Sequence, residues 1–101
     1  MTLPGTEYEM QTTFWTDFSI ADVFGVEAVQ DTYDRAIEEW GDNRVYLTEL
    51  VMVMNHKCWQ HYDAGRGSLC KKYEALYYKA DTYAMDHLKG DDLQYYLRTT
   101  D

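Results

Sequence analysis

His56, Cys58, His61 and Cys70 are the residues whose types invite a reading as metal ligands or as thiol chemistry. Cys58 and His61 lie three apart, so a helix would turn both the same way, with Cys70 joining from the next segment. A zinc site, however, normally draws on C-x2-C or H-x3-H pairs, which present two ligands from one turn to a tetrahedral ion. His56 and His61 are five apart and fall on different helical faces. A Cys70–His61 or Cys58–His56 dyad can be drawn, but no nucleophile elbow, oxyanion-hole motif or glycine-rich phosphate loop accompanies it. Gly65-Arg66-Gly67 is too short for such a loop and follows no strand. The expectation is a chain without a catalytic centre, metal site or cofactor.

Carboxylates supply the stronger pattern. Glu27, Asp31, Asp34 and Glu38 recur at i, i+4, i+7 and i+11, forming one stripe along a helix, and Glu39 and Asp42 extend it. Like charges one turn apart cost a helix a few tenths of a kcal/mol each. A sequence selected only for solubility would interleave cations, and only Arg35 appears here. Carboxylates one turn apart stand roughly 5–6 Å apart along the axis, similar to the step between phosphates on a nucleic-acid strand. Such a stripe fits a basic groove built for nucleic acid; it reads equally as a solvated face.

The net charge of −9 is confined to one half of the chain. Residues 1–56 carry eleven acids against Arg35 and Arg44, whereas residues 57–101 carry seven of each sign. That field repels DNA, RNA and anionic membranes and attracts basic surfaces. The partner expected is therefore a basic nucleic-acid-binding protein, with no direct contact to nucleic acid or membrane. No run of about 18 apolar residues offers a membrane span, and MTLPGTEYEM lacks the basic and apolar regions of a signal peptide. Two cysteines are too few for a secreted disulfide scaffold, so reduced thiols in the cytoplasm are expected.

The elements that would hold the stripe follow from the glycines. Gly25, Gly41, Gly65 with Gly67, and Gly90 divide the chain into lengths suited to helices. Thr6–Trp15 alternates apolar and polar residues, which predicts an extended arm over 1–13 ahead of a single helical domain over 14–101. Thr16-Asp17 reads as the cap of a short helix, Phe18 to Phe24. Val26 to Trp40 carries Val26, Val29, Tyr33, Ala36, Ile37 and Trp40 on one face, opposite the acidic stripe. Arg44 to Tyr62 is apolar almost all round in its first half; its β-branched residues leave a strand as the alternative, and the continuation through 55–62 without a turn signal favours a central helix. Ser68 reads as the cap of a long helix with Leu69, Tyr73, Leu76, Tyr77, Ala80, Ala84 and Leu88 on its stripe, and Leu93 to Arg98 as a last short one. The fold expected is all-α, a compact bundle of four to five helices with an extended N-terminal arm.

At 14–25 (FWTDFSIADVFG), 46–55 (YLTELVMVMN) and 83–90 (YAMDHLKG) the chain resembles small acidic proteins of Gram-positive gut bacteria, carried on phages, plasmids and conjugative elements. Those proteins have no assigned function, so no residue roles carry over. The resemblance implies a mobile-element setting, in which small acidic proteins often act as anti-CRISPR or anti-restriction factors that imitate nucleic acid. Together with the stripe it leads to the expectation of an inhibitor of a host defence nuclease, such as a CRISPR effector or restriction enzyme, bound through Glu27, Asp31, Asp34, Glu38, Glu39 and Asp42. The alternative is an accessory or structural protein that docks, or forms a homodimer, through its aromatic faces. The paired Tyr77-Tyr78 and Tyr95-Tyr96 must each leave at least one ring partly exposed.

Overall fold

The computed structural model describes the backbone of residues 7–100 and the side chains of 14–100. Five helices follow one another: α1 Glu7–Phe24, α2 Val26–Trp40, α3 Arg44–Asp63, α4 Gly67–His87 and α5 Gly90–Thr100. No strand occurs among the described residues. α3 is the hub, packing against all four other helices and most extensively against α4. This is the place its uninterrupted apolar sequence demands: Tyr46, Leu47, Leu50, Val51, Val53 and Met54 are all buried. The stripes of α2 (Val29, Tyr33, Ala36) and α4 (Tyr73, Leu76, Ala80, Ala84) close on it, each at helical spacing. Phe18, fully buried, meets Tyr73 edge to face at 5.9 Å in the centre of the core.

The turns are short and chemically specific. Gly25 separates α1 from α2 with φ 110°, a conformation closed to residues with a Cβ; its N–H donates to the Ala21 carbonyl at 3.1 Å. Asn43 caps α3, its Oδ1 accepting from the backbone N–H of Val45 and Tyr46 at 2.9 and 3.1 Å. After α3 the chain closes a Schellman motif: Gly65, at φ 75°, donates to the Tyr62 carbonyl at 3.2 Å and Arg66 to that of His61 at 2.9 Å.

Two expected caps are corrected. Thr16 and Asp17 lie inside α1, because Phe14, Phe18 and Ala21 recur at i, i+4 and i+7 and are all buried, so one helical face continues through both. α4 starts at Gly67, and Arg66 rather than Ser68 holds the N-cap position, with no side-chain hydrogen bond. The extended arm expected over 1–13 falls on residues 1–6, which lie outside the described residues, and on 7–13, whose side chains do too.

Candidate functional site

α2 turns Val29, Thr32, Tyr33 and Ala36 inward, which forces the opposite side of the helix to solvent. Glu27, Asp31, Asp34 and Glu38 are all exposed there, as are Glu39 and Asp42 at its C-terminal end. No ion pair among the described residues involves any of the six. Asp34 accepts from the Gln30 side-chain amide at 2.9 Å, and Lys72 reaches the same segment only to donate to the Gln30 oxygen. Arg35, the one cation on α2, donates to Thr32 Oγ1 at 3.4 Å rather than to a carboxylate. Among the described residues the stripe is thus a row of negative charge without an ion-pair partner. Its field reaches the helix behind it: burial first, and then the Asp34 charge, pushes the Tyr33 phenol up to about 12.

Beside the stripe, α1 and α2 diverge into a groove of about 770 Å³. Its lining combines Phe14, Ile20, Phe24 and Trp40 with Asp17, Asp31 and Glu39, and holds a single cation, Arg35. Phe24 is 77% exposed and Ile20 56%, and the neighbouring Val23 is 82% exposed. Three large apolar side chains thus stand open to water next to one another, beside the acids of the groove.

A second polar constellation is internal. Lys57 is 1% exposed and donates to Ser19 Oγ at 2.7 Å and Asp22 Oδ2 at 3.0 Å, with its Nζ 4.3 Å from the Trp15 ring centroid. Asp22 also accepts from the Tyr73 hydroxyl at 2.5 Å, and its Oδ2 lies 2.9 Å from His61 Nε2. Arg66 Nε donates to His61 Nδ1 at 2.8 Å, so Nδ1 bears the lone pair, Nε2 carries the proton toward Asp22, and the ring is neutral. Burial, reinforced by Asp22, holds the Tyr73 phenol well above its ordinary range. With Lys57, His61 and Tyr73 buried and all engaged, the cluster clamps α1, α3 and α4 together.

Neither drawn dyad forms. His61 is committed to Asp22 and Arg66, His56 is exposed, and the two sulfurs lie 3.8 Å from each other as free thiols. Burial, with the neighbouring Cys70, pushes the Cys58 thiol up to about 11, the opposite of an activated nucleophile. Among the described residues no group of three or more His, Cys, Asp and Glu could hold a metal ion. The sequence reading of residues 56–70 missed the clamp, although Lys57 and His61 one turn apart on an otherwise buried helix were its signal. The second apolar surface is at the far end of α3, where Trp59 and Tyr62 are exposed and meet edge to face at 5.5 Å.

Among the described residues no helix is long and apolar enough to cross a membrane. Comparison with protein-family models, with curated proteins and with solved structures returns no match to this chain.

Proposed function

We propose that this chain is a non-enzymatic binding protein of a mobile element that inhibits a host defence nuclease in the cytoplasm, acting as a nucleic-acid mimic. The observation that carries the reading is the row of exposed carboxylates on α2, none of them ion-paired among the described residues. From Glu27 to Glu38 the row runs about 16 Å along a rigid helix, enough to span several phosphate positions of a basic channel. Lysines and arginines that normally grip nucleic acid would meet Glu27, Asp31, Asp34 and Glu38, with Glu39 and Asp42 at the end of the row. Because the carboxylates are already aligned, no ordering of the mimic opposes binding.

The test is DNA cleavage by purified CRISPR effectors and restriction endonucleases in the presence of the chain. Inhibition by the wild type, weakening steeply with added salt and abolished in Glu27/Asp31/Asp34/Glu38→Lys, is the expected result. Inhibition that the charge-reversed variant retains, or that salt leaves unchanged, refutes mimicry.

The exposed Trp59–Tyr62 pair favours a second reading, an accessory protein that docks or dimerises through aromatic surface. It calls for self-association or binding that tolerates salt and is lost in Trp59→Ala/Tyr62→Ala.

A further inference from the structure

The groove between α1 and α2 asks for a different complement from the stripe alone. A pure imitation of nucleic acid needs charge; it has no use for Phe24 and Ile20, which stand largely in solvent at the groove wall. Water-exposed apolar area of this kind favours burial against another apolar surface. The rim restricts what can supply that surface. Asp17, Asp31 and Glu39 face the same opening, so a nucleic acid or an anionic membrane is repelled. A second copy of this chain, itself at −9, would set the same acids against each other. What satisfies floor and rim together is a segment with apolar residues on one side and lysine or arginine on its flanks. From Phe14 to Phe24 the groove follows α1 for about 15 Å, the length of roughly three helical turns.

We infer that this groove seats an amphipathic basic helix of the partner protein, with its apolar stripe on Ile20, Phe24 and Trp40 and its cations against Asp17, Asp31 and Glu39. Helix-in-groove docking of this kind reads anchors at i, i+3/i+4 and i+7, and the paired walls of α1 and α2 offer those positions. The inference rests on the proposal that the α2 side meets a basic protein, and it adds the shape of the element met there.

The probe is a synthetic 18-residue helix of leucine, lysine and alanine with leucine at i, i+3, i+4 and i+7, measured by fluorescence anisotropy against the full chain, with a scrambled peptide of the same composition as control. The expected result is binding at least about tenfold tighter than the scrambled peptide, a difference of about 1.4 kcal/mol. Ile20→Asn/Phe24→Ser alters exposed positions only and lowers the affinity by a similar factor, as does Asp17→Asn/Asp31→Asn/Glu39→Gln. Equal binding of the two peptides, or an unchanged affinity in Ile20→Asn/Phe24→Ser, overturns the inference. Concentration-dependent dimerisation in sedimentation that Ile20→Asn/Phe24→Ser abolishes, with no peptide binding, overturns it in favour of a second copy. Glu27→Lys/Glu38→Lys, at two stripe positions that do not line the groove, separates the two proposals. If this variant keeps both peptide binding and nuclease inhibition, the mimicry reading fails while the groove stands; if it loses inhibition but the peptide never distinguishes the groove variants, the groove fails while mimicry stands.

Discussion

Replacing Lys57 by methionine keeps the length of the buried stem and deletes only its charge. In the native fold Nζ is held by Ser19 Oγ at 2.7 Å and Asp22 Oδ2 at 3.0 Å, over the Trp15 ring. Without it the Asp22 side chain, 13% exposed, keeps the neutral donors His61 and Tyr73 but has no cation in contact. Breaking one side of a buried pair costs about 3–5 kcal/mol, since a carboxylate is left in a medium that solvates it poorly. Against a total stability of about 5–15 kcal/mol this is a large fraction. At the central value of about 4 kcal/mol, Tm should fall by roughly 16–32 °C for a domain of this size. Urea unfolding followed by far-ultraviolet circular dichroism measures the loss directly. Asp22→Asn removes the other charge while keeping an acceptor, so Asp22→Asn/Lys57→Met should be destabilised by less than the sum of the single variants, with a coupling of about 1–3 kcal/mol. A loss below about 1 kcal/mol in Lys57→Met, or strict additivity in the cycle, would refute the clamp as a source of stability.

Three further outcomes are expected. Tyr33 is raised to about 12, and Tyr73 and Tyr96 are displaced in the same direction by burial and by Asp22 and Asp81 respectively, so all three favour the fold as neutral phenols. Stability should therefore be whole below the ordinary phenol value of about 10 and decline as pH rises from there toward 12, by on the order of 1 kcal/mol per pH unit for each phenol; tyrosinate absorbance that rises in one step at pH 10 without unfolding would contradict this. Gly41→Ala places a Cβ 2.7 Å from Tyr83 Oη and 2.6 Å from the Ile37 carbonyl, so chemical denaturation should show a loss of about 1–3 kcal/mol although the glycine has an ordinary helical φ. Alkylation of Cys58 in the native chain, resolved from Cys70 by peptide mapping, should be slow at neutral pH and speed up about tenfold per pH unit between 8 and 10, as a thiol raised to about 11 requires; a plateau below pH 9 would show that burial and the neighbouring Cys70 do not govern it.

The helices were legible because their signal is local. Val29, Tyr33 and Ala36 on α2, and Tyr73, Leu76, Ala80 and Ala84 on α4, repeat at the period of an α-helix, and both stripes are buried. The cap expected at Thr16-Asp17 was misjudged because the i, i+4, i+7 relation of Phe14, Phe18 and Ala21 runs straight through it. Exposure of the acidic stripe also followed from local spacing, since burial of one side of α2 dictates the other.

By itself the sequence determined that this chain is helical, where most helices end, and that its negative charge gathers on one of them, because periodicity, turn residues and charge are properties of neighbours along the chain. Only the tertiary structure decided which distant groups meet. Asp22 and Lys57 are 35 residues apart, and Asp22 and Tyr73 are 51 apart, yet all three meet at one partly buried carboxylate. Cys58 turned to Cys70 rather than to His61, and α1 and α2 opened a groove that leaves Phe24 in water. Such juxtapositions depend on which helix faces pack together, and that choice is made by the whole core at once.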